Sequence, residues 1–111
     1  MKSKKAITML SALAQESRLA IFRMLVRFGS EGVPAGLIAR RLKLPAPTCS
    51  FHLKEMLNAG LVHRERQGRS LLYTVDISAT SALLGYLTKN CCVEETKDSL
   101  DSVSTRSLES V

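Results

Sequence analysis

The chain has 111 residues, of which 45% are hydrophobic, 23% charged and only 5% aromatic, and its formal net charge is +6. That length makes one small domain with little private core, so burial against a partner chain is expected. It leaves no room for a large enzymatic cleft, and no stretch approaches the ~20 apolar residues of a membrane span.

The charge is unevenly spread. Residues 1–92 carry fourteen Lys/Arg against five Asp/Glu, a balance of +9, while residues 93–111 carry two against five, a balance of −3. A body that basic suits nucleic acid, a solvated basic face being the plainer alternative. The opening "MKSKKAITMLSALAQ" imitates a secretory signal, but Thr8 and Ser11 interrupt its apolar run and the pattern continues through Ile21, Phe22 and Leu25. Three cysteines, two of them adjacent, do not make a disulfide framework, so a reducing cytoplasm is the expected setting.

Taken in order, Ile7, Leu10 and Leu13 have helical spacing over residues 4–13. A second helix follows over 15–28, with a wide stripe through Leu19, Ile21, Phe22, Leu25, Val26 and Phe28, ended by "FGSEGVP". "AGLIARRLK" predicts a third helix, closed by "LPAP", where Pro45 and Pro47 forbid continuation but suit a new helix start. The fourth runs from about Pro47 to Asn58, with Cys49, Leu53, Met56 and Leu57 on one face, Pro47, Phe51, Lys54 and Asn58 on the other, and Gly60 as its stop. The period then changes: "LVHRERQ" and "LLYTV", divided at Gly68, predict a β-hairpin. After Asp76, "SATSALLGYLTKNC" returns to helical spacing through Leu83, Leu84, Leu87 and Cys91. Residues 93–111 are serine-rich, acidic and without period, and are expected to be disordered.

Three helices, a proline-marked turn between the third and fourth, and a basic hairpin make a winged helix-turn-helix pattern, mainly α with a β-hairpin wing, whose fourth helix enters the DNA major groove. Its outward face offers Thr48, Ser50, Phe51 and Lys54, with His52 beside them. Hydroxyls can bond base edges or phosphates, lysine can take a phosphate or guanine, and an exposed aromatic can press on a thymine methyl. The hairpin tip "RERQGRS" sets Arg64, Arg66 and Arg69 around a turn narrow enough for a minor groove or backbone. No paired carboxylates or Cys-His spacing support an enzyme, since His52 and His63 are both far in sequence from the cysteine pair.

The strings "ALAQESRLAIFRML" and "LIARRLKLPAPTCSFHLKEMLNAGLVHRERQGRSLLYTV", with the helix after them, resemble the ArsR/SmtB metal- and stress-sensing repressors over roughly residues 7–92. The resemblance implies a homodimer built on the first and last helices, bound to a two-fold symmetric operator and leaving it when an inducer binds. It also implies where an inducer would sit. Family members with a thiol site in the third helix carry "ELCVC" where this chain has "EGVPAG". Members with a zinc site on the last helix begin it with Asp-x-His, whereas "VDISATSALLGYLTK" leaves Asp76 alone, and zinc wants about four ligands.

Cys91 and Cys92 match the vicinal cysteines of some arsenic-responsive members, so the resemblance makes them ligands for As(III), methylarsenite or Sb(III), with no permanent cofactor. The chemistry agrees, because soft thiophilic centres prefer thiolates. Adjacent helical side chains point about 100° apart, so two cysteines in the last helical turn would have to distort it to grip one atom. Arsenic usually takes three thiolates, yet "VEETKDS" offers none and Cys49 lies on a buried stripe where it reads as core. A carbon already bonded to arsenic could fill the third position, which favours a methylated inducer. The alternative reading of the pair is a thiol redox or persulfide sensor.

Overall fold

The computed structural model describes residues 1–94, so all but Val93 and Glu94 of the acidic tail expected at 93–111 lies outside the described residues. Five helices and a three-stranded sheet follow in the order α1 (Ser3–Leu13), α2 (Glu16–Phe28), β1 (Val33–Pro34), α3 (Ala35–Leu42), α4 (Ala46–Asn58), β2 (Val62–Gln67), β3 (Ser70–Val75) and α5 (Ile77–Thr88). This is the winged helix-turn-helix architecture the pattern predicts.

Local chemistry sets the boundaries. The side chain of Gln15 caps α2 by accepting from the Arg18 amide at 2.8 Å, and Glu16 and Arg27 sit at the ends that suit their charges. Helix α3 ends where Lys43 turns left-handed at φ 56°, and the Leu44 amide returns to the Ala39 carbonyl at 2.9 Å. Pro45 then holds an extended backbone and Pro47, in the first turn of α4, has no N–H to leave unpaired. Gly60, at φ +78°, closes α4 and lets the Leu61 amide bond back to the Met56 carbonyl at 3.0 Å.

Strands β2 and β3 pair antiparallel from Val62↔Val75 to Gln67↔Ser70, leaving Gly68 and Arg69 as the two-residue turn. The two-residue β1, absent from the sequence reading, pairs with Tyr73 and Leu72 on the other edge of β3. Ile21, Met24 and Leu25 of α2, Ile38 of α3, Leu53 and Met56 of α4, and Val33, Leu61 and Val62 form the core beneath this sheet.

The first and last helices leave large apolar side chains exposed. In α1 the residues in the core are Ala6, Met9 and Ala12, while Ile7 is 60% exposed and Leu10 41%. In α5 only Leu83 is buried, and Ile77, Leu84 and Leu87 face outward. Among the described residues, no helix is long and apolar enough to cross a membrane.

Candidate nucleic-acid interface and thiol pair

Helix α4 is held by its inner stripe of Cys49, Leu53 and Met56, each almost fully buried, so its remaining faces point away from the core. Thr48, Ser50, Phe51 and Lys54 are all exposed, with Phe51 53% accessible. An aromatic ring left that open on a well-packed helix costs hydrophobic free energy unless something covers it. Beyond Val62 every residue of β2 is exposed, so the outer strand of the wing stands clear of the core, while β3 contributes Tyr73 and Val75 to it. Arg64 and Arg66, two residues apart, share one side of this ribbon, and Arg69 occupies the turn. Arg40, Arg41 and Lys43, which the sequence reading used only to mark the third helix, add exposed positive charge at the end of α3; Arg41 also lies 5.4 Å from the Phe28 ring centroid.

His52 does not share this exposure. Only 8% accessible, it points inward, and its Nδ1 accepts a hydrogen bond from Nε of Arg18 at 3.2 Å. The expectation that His52 touches DNA does not fit this placement: residue 52 stands one position before Leu53 and three after Cys49, so it belongs to the buried side of the helix. Burial first, and the Arg18 charge second, hold its pKa below the ordinary histidine value of 6.5, which keeps it a neutral acceptor. Arg18, which the sequence reading passed over, contacts α4 twice, since its guanidinium carbon also lies 5.9 Å from the Phe51 ring centroid.

Cys91 and Cys92 lie beyond α5, which ends at Thr88, and so are not in its last turn as expected. Asn90 at φ 62° and Cys92 at φ 67° are both left-handed, and the Cys91 amide bonds back to the Thr88 carbonyl at 3.1 Å. This irregular turn brings the two sulfurs to 3.1 Å, too long for a disulfide bond but close enough for both to meet one soft atom, with no helix to unwind. Both residues are exposed. Cys49 is buried, its thiol pushed up in pKa by that burial, and its sulfur lies 3.9 Å from the Ala35 carbonyl, as core packing expects. Among the described residues no three His, Cys, Asp or Glu side chains gather into a metal-binding group.

Residues 13–65 match the model of a helix-turn-helix domain family. The HTH-type transcriptional regulator YgaV of Escherichia coli K12 is 32% identical over 90 residues, 81% of this chain and 89% of that protein. The transcriptional activator HlyU of Vibrio cholerae is 30% identical over 90 residues, 81% of each protein, and a structure of reduced HlyU superposes with a TM-score of 0.62 at 28% identity, covering 81% of this chain and 92% of that one. The chain belongs to the ArsR-type winged helix-turn-helix transcriptional regulators.

A further member of that set, the homodimeric winged helix-turn-helix DNA-binding domain Mb0332 of Mycobacterium bovis, described as a possible ArsR-family regulator, has a TM-score of 0.62 at 25% identity over 77% of this chain and 79% of its own. An ArsR-type regulator acts by binding DNA, not by catalysing a reaction, which accounts for an exposed basic wing and an open aromatic on α4. The family resemblance read from "SFHLKEMLNAGLV" holds at this level.

Proposed function

We propose that this protein is a homodimeric repressor that holds a two-fold symmetric operator through α4 and the wing and releases it when trivalent arsenic or antimony binds Cys91 and Cys92. The observation that carries the reading is the 3.1 Å approach of two exposed sulfurs just past the end of α5. Thiolates at that separation present a soft, bidentate site that hard ions ignore.

Helix α5 is the natural place for such a site to act. Its outward Ile77, Leu84 and Leu87 leave apolar surface that a second copy would cover, as do Ile7 and Leu10 on α1, and Mb0332 is homodimeric. A ligand that changes the backbone after Thr88 changes how α5 seats against that copy, and with it the separation of the two α4 helices. Pyramidal arsenic with two protein sulfurs has one position left, and no third ligand group is gathered among the described residues. That favours methylarsenite, whose carbon already occupies the position.

The test is a titration of the protein–DNA complex with arsenite, antimonite and methylarsenite. Release by all three, most readily by methylarsenite, and none from a C91S/C92S protein that still binds DNA, is the expected result. A variant that still responds would place the sensor elsewhere. The same pair also supports a thiol redox or persulfide sensor in a reducing cytoplasm, since two exposed thiols at contact distance are the geometry for disulfide formation. Release by hydroperoxide or polysulfide but not by metalloid would favour that second reading.

A further inference from the structure

Arg18 is the third residue of α2, and its own backbone is fixed by the Gln15 side chain, which accepts from its amide at 2.8 Å. From there its side chain crosses to α4 and meets two consecutive residues that stand on different sides of that helix. Nε donates to Nδ1 of buried His52 at 3.2 Å, while the guanidinium carbon lies 5.9 Å from the ring centroid of exposed Phe51. The two rings complete a triangle, edge to face, with centroids 5.8 Å apart at 60°. Arg18 also lines a cavity of about 360 Å³ between Ile7, Thr8 and Ser11 of α1 and Glu55 and Asn58 of α4.

We infer that Arg18 is a positioning residue for DNA reading: the Arg18–His52–Phe51 triangle fixes the rotation of α4 and the stance of the Phe51 ring, without Arg18 itself touching DNA. The inference rests on α4 being the helix that reads DNA. A hydrogen bond to a charged donor is directional, so it holds angle as well as distance. His52 accepts through Nδ1, so its proton sits on Nε2 and the acceptor lone pair stays aimed at α2. Phe51, in contact with a fixed cation and with the edge-to-face ring of His52, has less rotamer freedom to lose when it meets a base.

The test measures affinity by fluorescence anisotropy for a duplex that the wild-type protein enriches from a random pool, and for a scrambled duplex, across a sodium chloride series, well below each variant's melting temperature. R18Q and H52L should lose roughly tenfold on the enriched duplex, the scale of one charge-assisted hydrogen bond, and little on the scrambled one, with the salt slope unchanged. H52N should recover most of the loss seen in H52L, because its Oδ1 takes the place of Nδ1 as acceptor even though the ring that meets Phe51 is gone. An R18Q protein that loses affinity equally on both duplexes, with the slope reduced by about 0.9, would make Arg18 a direct phosphate contact and overturn the inference. Wild-type affinity in R18Q, or H52N binding as poorly as H52L, overturns it as well. K54A with F51A supplies the separate control: undiminished binding there would refute α4 as the reading helix, whatever Arg18 does.

Discussion

Asp76 Oδ2 lies 3.2 Å from His63 Nε2, so the residue that starts α5 also holds the base of the wing. The other oxygen of the same carboxylate, Oδ1, accepts from the Ala79 amide at 2.9 Å and caps α5, while the Asp76 amide donates to the Leu61 carbonyl at 2.9 Å. The wing and the outward-facing helix therefore share one anchor.

Of these contacts the cap should dominate stability, because His63 is two-thirds exposed and an exposed ion pair contributes little. Asp76→Ala should cost about 1 kcal/mol of unfolding free energy in urea at fixed protein concentration. Asp76→Asn, whose amide oxygen can still accept from Ala79, should cost less than half of that. Equal losses in the two variants would move the weight from the cap to the His63 contact.

The three cysteines should separate cleanly by reactivity. Cys91 and Cys92 are exposed, whereas Cys49 is buried and its thiol is pushed up in pKa by that burial. A chromogenic disulfide reagent at neutral pH should titrate two thiols per folded chain, the third appearing only on unfolding. The C91S/C92S protein should then show none until denatured. Rapid labelling of Cys49 in the folded protein would show that α4 opens locally.

The residues the sequence placed well are those whose neighbours are local. Cys49, Leu53 and Met56 lie three and four apart on α4, and the structure buries all three. The outward stance of Phe51 and Lys54 follows from the same helical period. In α1 the period was equally visible but its phase was not: Ala6, Met9 and Ala12 run beside Ile7 and Leu10, and the bulkier stripe drew the reading although the smaller one packs inside. Spacing cannot say which of two apolar stripes faces its own protomer. The stop of α5 before the cysteines was hidden because Lys89 is a good helix former, and only Asn90 hints at a left-handed turn. The Arg18–His52 bond joins positions 34 apart in sequence and leaves no trace in any local pattern.

The wing arginines should act through phosphates rather than bases, since all three are exposed on the outer strand and turn of the ribbon, and not on the outward face of α4 that offers Ser50, Phe51 and Lys54. Arg64→Ala, Arg66→Ala and Arg69→Ala should each lower the magnitude of the slope of log affinity against log salt by roughly 0.9 for a residue that contacts one phosphate, and weaken enriched and scrambled duplexes alike. Substituting Ser50 or Lys54 on α4 should instead narrow the gap between the two duplexes. An arginine variant that loses only the enriched duplex would place that side chain on a base edge.

Acid should weaken the folded protein through His52. Its folded pKa lies below 6.5 while the unfolded chain titrates near 6.5, so between the two values the unfolded state binds more protons and stability rises with pH. The contribution is therefore complete above about pH 6.5 and is lost as pH falls through that window toward the lowered folded value. Of the charges on the packed elements only the Arg18 guanidinium of α2 faces the ring and acts in this direction; Lys5 of α1 is directed at the Ala59 carbonyl, Arg41 of α3 lies over Phe28, and Glu55 of α4, which lines the cavity beside Arg18, has the opposite sign. Urea denaturation from pH 8 to pH 5 should show wild type falling away from His52→Asn as the solution becomes acidic, because the amide keeps the Arg18 bond and cannot take up a proton. The same comparison with His63→Asn removes the one other histidine. Parallel wild-type and His52→Asn curves would mean that His52 takes up its proton as readily in the folded chain as in the unfolded one, and that the Arg18 bond survives it.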